Sequence, residues 1–208
     1  MVSITDFTDS ILTAVPIALD VTIDEAVREA AIRFCRETGI YKYKAIVISD
    51  GGSSDIVIDV PENTRVSQIN SVLFTAQHAQ KPVLLESSTP AIIDDAGDGQ
   101  GRVTQWYRDE SNSAITVNGD DRGTYKIDVR LVPTRGFTGL PDAVGDIWFH
   151  AIRAGALALL YEMPDKPWTD GRAVKSYSNT FYKGVLDATR NASRARDKAA
   201  HRTGYGGI

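Results

Sequence analysis

The first part of the chain repeats its apolar residues with the period of an α-helix. From residue 23 they follow the spacing i, i+3, i+4, i+7, i+8, which places one apolar stripe on a helix. The stripe comprises Ile23, Ala26, Val27, Ala30, Ala31, Phe34 and Cys35. Thr22 and Glu25 have the spacing of a capping box, and Gly39 is typical of a helix stop. A shorter helix is predicted from Ile4 to Val15, ended by Pro16.

After Gly39 the apolar period changes to two, which indicates strands. Segments 44–49 (KAIVIS) and 55–60 (DIVIDV) flank the glycine-rich stretch 50–54 and predict a β-hairpin. Further strands are predicted at 65–75, 82–86, 105–108, 114–117 and 124–132. About seven short strands in roughly 90 residues favour a β-sandwich or a small barrel.

Helical periodicity returns after Pro133. A helix is predicted from Leu140-Pro141-Asp142 to Glu162, apolar on two sides and therefore buried between neighbours. A last helix begins near Asp170, and its apolar stripe fades among arginines after residue 188. We therefore expect an α+β protein in which a four-helix bundle carries an inserted antiparallel β-sandwich or barrel domain. Residues 1–42 and 138–190 form the bundle, 43–137 the β domain, and 191–208 a basic C-terminal docking segment.

Small residues and a rigid corner mark the helix that ends at Glu162. Gly155 and Ala156 allow neighbouring helices to come close, and close approach would offset the cost of about 1 kcal/mol for glycine in a helix. Pro164 and Pro167 then form the corner, and Trp168 is predicted to cap the end of the bundle.

Charge is distributed unevenly in a chain of net charge −4. Residues 183–208 contain six basic and two acidic residues, which leaves 17 basic and 25 acidic residues in 1–182. The body is therefore acidic and the tail basic. Three interpretations of the tail stay open: a solvated helix end, a segment that orders on docking, or a nucleic-acid contact. The candidate docking residues are Arg190, Arg194, Arg196, Lys198, Arg202 and Tyr205.

Composition and motifs favour a protein without catalytic chemistry. Hydrophobic residues make up 42% of the chain and no apolar run approaches the roughly 18 residues of a membrane span. The first ten residues do not predict a signal peptide. Cys35 is the single cysteine and is expected in the core. We expect no enzyme activity, no cofactor and no metal.

Two loops resemble known sites only superficially. Gly97–Gly101 (GDGQG) lacks the Lys-Ser/Thr of a P-loop, and the acidic residues 94, 95 and 98 lack the ligand spacing of an EF-hand. Nucleophile elbows and paired metal-ligand motifs are missing from the sequence.

Five segments in order resemble the head-to-tail adaptor proteins of tailed bacteriophages, the group that includes tail tubular protein A. They are EAVREAAIRFCRETG (25–39), VPENTRVSQINSVLF (60–74), PTR (133–135), LPD (140–142) and AGALALLYEMPDKPWTDGRAVKSYSNTFYKGV (154–185). The most specific part joins Gly155-Ala156-Leu157 to Met163-Pro164 and Pro167-Trp168.

The resemblance implies a structural virion protein at the neck, assembled in the host cytoplasm. Twelve copies would form a ring under the portal protein, bind neighbouring subunits and a downstream tail or nozzle protein, and continue the channel for genomic DNA without sequence-specific or membrane contacts. The C-terminal segment would grip the portal. An acidic channel wall would repel phosphate.

Two other functions remain open. A tail terminator or stopper would occupy a position further from the capsid. A ligand-binding or carbohydrate-binding β module on a helical base is the third possibility, with Trp106, Tyr107 and Tyr125 as a sugar platform.

Overall fold

The computed structural model describes residues 1–51, 55–79, 81–88, 103, 105–108, 114–117 and 122–202, the last nine by their backbone alone. These residues form five helices: α1 Ile4–Leu12, α2 Asp20–Thr38, α3 Asp142–Gly145, α4 Phe149–Glu162 and α5 Gly171–Arg202. They form ten strands: β1 Val2–Ser3, β2 Lys42–Ser49, β3 Asp55–Val57, β4 Thr64–Ala76, β5 Val83–Leu84, β6 Glu86–Ser87, β7 Gln105–Arg108, β8 Ala114–Val117, β9 Gly123–Pro133 and β10 Gly139–Leu140. The protein is therefore mixed α+β. The loop Gly97–Gly101 and the acidic residues 94, 95 and 98 lie outside the described residues.

The chain divides into two compact units. One comprises Met1–Tyr41 and Pro133–Ile208, and the other comprises Lys42–Val132. We call them the helical unit and the sheet unit. The sequence placed the two boundaries after residues 42 and 137. In the structure the second boundary lies after Val132, so residues 133–137 belong to the helical unit. Within that unit β10 pairs antiparallel with β1, Val2 opposite Leu140.

Capping differs from the prediction at the first two helices. α1 begins with a capping box in which Ser3 Oγ accepts from the Asp6 amide and the Asp6 carboxylate accepts from the Ser3 amide. The capping box predicted at Thr22 is wrong, because α2 already begins at Asp20 and the Thr22 amide donates to the Leu19 carbonyl at 2.9 Å. Gly39, with φ 57°, ends α2 as predicted.

The long helix predicted from residue 140 to 162 is interrupted. Trp148, with φ −109° and ψ 16°, separates α3 from α4. Its ring lies 5.8 Å from the Phe34 ring on α2, while the next ring, Phe149, stacks on Phe7 of α1 at 4.3 Å. Consecutive aromatic residues thus contact two different helices at the start of α4.

The sheet unit contains two four-stranded sheets, in the strand orders β2-β9-β4-β5 and β3-β8-β7-β6. All pairs with a defined register are antiparallel except β6 with β7. The predicted hairpin between β2 and β3 is wrong, because β2 pairs with β9 and β3 pairs with β8. The connection after Ser49 therefore leads from one sheet to the other. Its residues 52–54 lie outside the described residues.

Alternation along β9 defines the buried face of the first sheet. Tyr125, Ile127 and Val129 are buried, whereas Lys126 between them is exposed. The Tyr125 ring packs against Phe74 of β4 at 4.7 Å. Within the described residues both sheets have two ends rather than a closed circuit, so the barrel alternative is wrong.

Candidate functional site

α4 and α5 approach each other through a reciprocal pair of glycines. A Cβ added to Gly155 of α4 would lie 2.6 Å from Phe181 Cδ2 and 3.1 Å from Ala30 Cβ on α2. A Cβ added to Gly184 of α5 would lie 2.4 Å from Ala151 Cβ on α4. Each helix therefore lacks a side chain where the other is closest. We call Ala151, Gly155, Phe181 and Gly184 the α4/α5 interface.

Of the two glycines in this interface, the sequence identified only Gly155 as a packing residue. Ala156, predicted with it, is fully buried but lies outside the four residues of the interface. Gly184 was missed, although its position three residues after Phe181 on the same apolar stripe was a usable signal, because residues i and i+3 share a helix face.

The Phe181 ring also connects the interface to α2. It lies 6.1 Å from the Phe34 ring in an edge-on arrangement. The Arg33 guanidinium lies 5.5 Å from the Phe181 ring and 5.2 Å from the Tyr182 ring, and it donates to the Tyr182 hydroxyl. Arg33 also bonds Glu37 at 2.8 Å, which is the largest cause of its raised pKa. These contacts fix the orientation of α5 relative to α2.

The corner between α4 and α5 is held by hydrogen bonds rather than by the prolines alone. Trp168 Nε1 donates to the Leu160 carbonyl at 3.0 Å, so its indole caps the end of α4. Thr169 Oγ1 donates to the Met163 carbonyl at 2.6 Å, and Asp165 adopts φ 57° between them. Asp170 then caps α5, because its carboxylate accepts from the amides of Arg172 and Ala173. The start predicted near Asp170 is confirmed.

α5 carries five of the six predicted docking residues in its C-terminal half. Arg190 is exposed and its Nη1 lies 3.6 Å from an Asp187 carboxylate oxygen. Ala192 is the last buried side chain of α5 that the structure describes. The helical backbone continues to Arg202, and the sequence places Arg194, Arg196, Lys198 and Arg202 on that continuation. Tyr205 lies outside the described residues.

A depression of about 500 Å³ lies between α2 and α4 in the helical unit. Its lining contains Glu25, Arg28, Glu29, Arg135, Leu159 and Met163. The Arg135 guanidinium approaches the Glu29 carboxylate at 3.9 Å. Its charges are mixed and it contains no nucleophile.

Other candidate chemistry is buried in the two cores. Burial raises the pKa of the Cys35 thiol to about 12, so the nucleophilic thiolate is disfavoured. Trp106 and Tyr125 are 7% and 1% exposed, which removes two of the three rings of the suggested sugar platform. Within the described residues, no group of three His, Cys, Asp or Glu side chains is arranged to hold a metal ion. No helix among them is long and apolar enough to cross a membrane.

Neither a protein-family model nor a curated protein matches the sequence.

Proposed function

We propose that the chain is a structural virion protein: a head-to-tail adaptor that forms a ring beneath the portal and continues the DNA channel toward the tail. In this proposal α1, α2, α4 and α5 form a four-helix bundle, and β2 to β9 form an inserted β-sandwich. The chain is not an enzyme and uses no cofactor. Its partners are the portal, neighbouring copies in a ring of twelve, a downstream tail or nozzle protein, and DNA that passes without sequence-specific binding.

One observation carries the proposal: α5 continues ten residues beyond Ala192 to Arg202. Ten helical residues span about 15 Å. This stretch holds four basic residues and one acidic residue, Asp197. We propose that this cationic end of the helix docks on another protein.

Two further features support an assembly role. A heterologous ring contact joins two different surfaces of each copy, and the acidic body and the basic tail are two segments of opposite charge. The order of segments resembles that of phage adaptors, with the corner from Met163 to Trp168 as the most specific feature.

A tail terminator or stopper is the alternative within virion proteins. It would use the same kind of ring but would bind the tail rather than the portal. The test must therefore measure portal binding itself.

The experiment compares the full chain with a deletion of residues 194–208. Starting the deletion at Arg194 keeps Ala192, so the described packing of α5 stays intact. Each protein is mixed with purified portal complex and analysed by co-sedimentation and negative-stain electron microscopy. We expect the full chain to sediment with the portal as a ring, and the deletion variant to remain free with an unchanged unfolding transition.

Two variants serve as controls. Replacing Arg194, Arg196, Lys198 and Arg202 with glutamine tests charge without shortening the helix, and should weaken portal binding. Replacing Arg172 and Lys175 with glutamine removes exposed cations from the other end of α5 and should leave binding unchanged. Normal portal binding by the deletion variant would refute the docking role of the tail. Lack of portal binding by the full chain would refute the adaptor function.

A further inference from the structure

β2 is an eight-residue strand at the end of its sheet. All its residues from Lys42 to Ser49 pair with β9, Lys42 opposite Arg130 and Ser49 opposite Gly123. No other strand among the described residues pairs with β2, which stands at the end of its sheet. The free edge is about 27 Å long at the usual rise per residue. We call Lys42–Ser49 with its unpaired side the β2 edge.

The outward side chains of β2 divide into a cationic half and an apolar half. Lys42 and Lys44 are exposed, and the next two outward residues, Ile46 and Ile48, are 65% and 76% exposed. Natural edge strands are usually short or protected by charges, prolines or bulges. The lysines protect only half of β2, so the isoleucine half is open to another strand.

The neighbouring strand extends the cationic half. Residues directly opposite in an antiparallel pair share a face. Arg130 lies opposite Lys42, Asp128 opposite Lys44, and Lys126 opposite Ile46. This face therefore has four cations and one carboxylate. Within the described part of the chain, none of the four cations has a carboxylate oxygen within 4 Å.

We propose that the β2 edge binds an extended segment of a partner protein as an added antiparallel strand. The segment carries apolar side chains beside Ile48 and Ile46, followed by acidic side chains beside Lys44 and Lys42. Main-chain hydrogen bonds supply affinity in such strand addition, and alternate side chains supply specificity. The β2 edge has this capacity whether or not the chain joins a ring.

The apolar half favours a protein segment over a nucleic acid. A nucleic-acid backbone would use only the cations and leave Ile46 and Ile48 exposed. Base stacking requires an aromatic platform, and the outward residues of β2 include no aromatic side chain.

The test uses a fluorescein-labelled peptide, Thr-Val-Thr-Val-Thr-Glu-Thr-Glu-Thr, titrated with the full chain and followed by anisotropy. We expect saturable binding, with amide chemical-shift changes and slowed hydrogen exchange concentrated in residues 42–49. The double variant Lys42→Glu/Lys44→Glu should bind about tenfold more weakly, because two opposite-charge pairs become like-charge pairs.

Charge exchange makes the test specific. The double variant should recover binding to a peptide in which both glutamates are lysines. The matched control Lys175→Glu/Lys183→Glu makes the same charge change at exposed positions of α5 and should bind the original peptide normally. Equal weakening by the control would reduce the interaction to net charge and overturn the proposal.

Four further results would also overturn it. One is the lack of saturable binding, and another is a set of amide shifts outside residues 42–49. The third is preferential binding of a 20-base-pair DNA duplex through Lys42 and Lys44, which would assign the surface to nucleic acid. Self-association abolished by Ile46→Asp/Ile48→Asp would assign it to a second copy of the chain instead.

Discussion

Apolar side chains are buried at the α4/α5 interface but exposed to water at the β2 edge. At the interface, glycines on both helices let Phe181 and Ala151 pack within van der Waals distance of a facing backbone. At the edge, Ile46 and Ile48 are 65% and 76% exposed. The apolar residues of the α4/α5 interface are buried when the chain folds, whereas the isoleucines of β2 stay exposed.

Because of this difference, we expect substitutions in the two regions to affect different properties of the protein. Substitutions at the α4/α5 interface should change the free energy of unfolding, because its residues have no room to adjust. Substitutions at the outward face of β2 should leave folding nearly unchanged and affect only association.

The largest effect is expected from Gly155→Leu. The first added carbon already meets the Phe181 ring at 2.6 Å, and Phe181 is itself packed against Phe34. Overpacking should lower the free energy of unfolding by about 3 kcal/mol, measured by urea denaturation. Gly155→Ala should fall between this variant and the native protein. An unchanged melting temperature for Gly155→Leu would show that the helices are not packed as described.

Two glycines of α5 allow a matched test of the close approach between α4 and α5. Gly184→Ala places a methyl group 2.4 Å from Ala151 Cβ, whereas Gly171→Ala meets nothing within 4 Å. Alanine gains about 1 kcal/mol of helix propensity at an interior position and less at the first residue. At Gly184 the overpacking should exceed this gain and give a net loss of about 1–2 kcal/mol in thermal or urea unfolding. Gly171→Ala should be neutral or slightly stabilising, and equal behaviour of the two variants would contradict the close approach.

Because Cys35 is buried in the helical core, it should make the free energy of unfolding depend on pH. The unfolded thiol ionises near its ordinary pKa of 9.0, while burial raises the folded pKa to about 12. Its contribution to stability is therefore complete below pH 9 and is lost as the pH rises toward 12, by about 1.4 kcal/mol per pH unit. Urea unfolding from pH 8 to 10.5 should show a steeper decline for the native protein than for Cys35→Ala. Parallel pH profiles would mean that Cys35 is accessible to water in the folded state.

The smallest effect is expected at the β2 edge. Ile46→Thr and Ile48→Thr should each change the free energy of unfolding by less than about 0.5 kcal/mol, because both side chains already face water. Ile127→Thr on the adjacent β9 is the matched control. Ile127 is fully buried, so an unpaired hydroxyl there should cost about 2 kcal/mol in urea unfolding. A similar cost at Ile48 would indicate that the edge is already covered.

Sequence patterns predicted the elements of both units better than their partners. The strands at 105–108 and 114–117 have the predicted bounds, because alternation is a local property of the chain. The pairing of β2 with β9 joins residues far apart in sequence, and nothing within Lys42–Ser49 identifies that partner. The glycine-rich stretch after Ser49 suggested a hairpin but instead connects two sheets.

The sequence predicted those site residues that belong to a recognisable pattern of neighbouring residues. Gly155 and Trp168 were predicted as packing and capping residues from a small-residue run and a proline corner, and the structure places them in the α4/α5 interface and on the Leu160 carbonyl. The open β2 edge was not predicted. Exposure of Ile46 and Ile48 depends on strand order, which is a property of the whole sheet unit rather than of the segment itself.

Cryo-electron microscopy of tailed particles that contain this protein tests the adaptor proposal most directly. We expect a ring of twelve copies in contact with the portal, with the C-terminal end of α5 from Arg194 onward against a portal surface. A ring located at the far end of the tail, without portal contact, would contradict the adaptor function and identify a terminator instead.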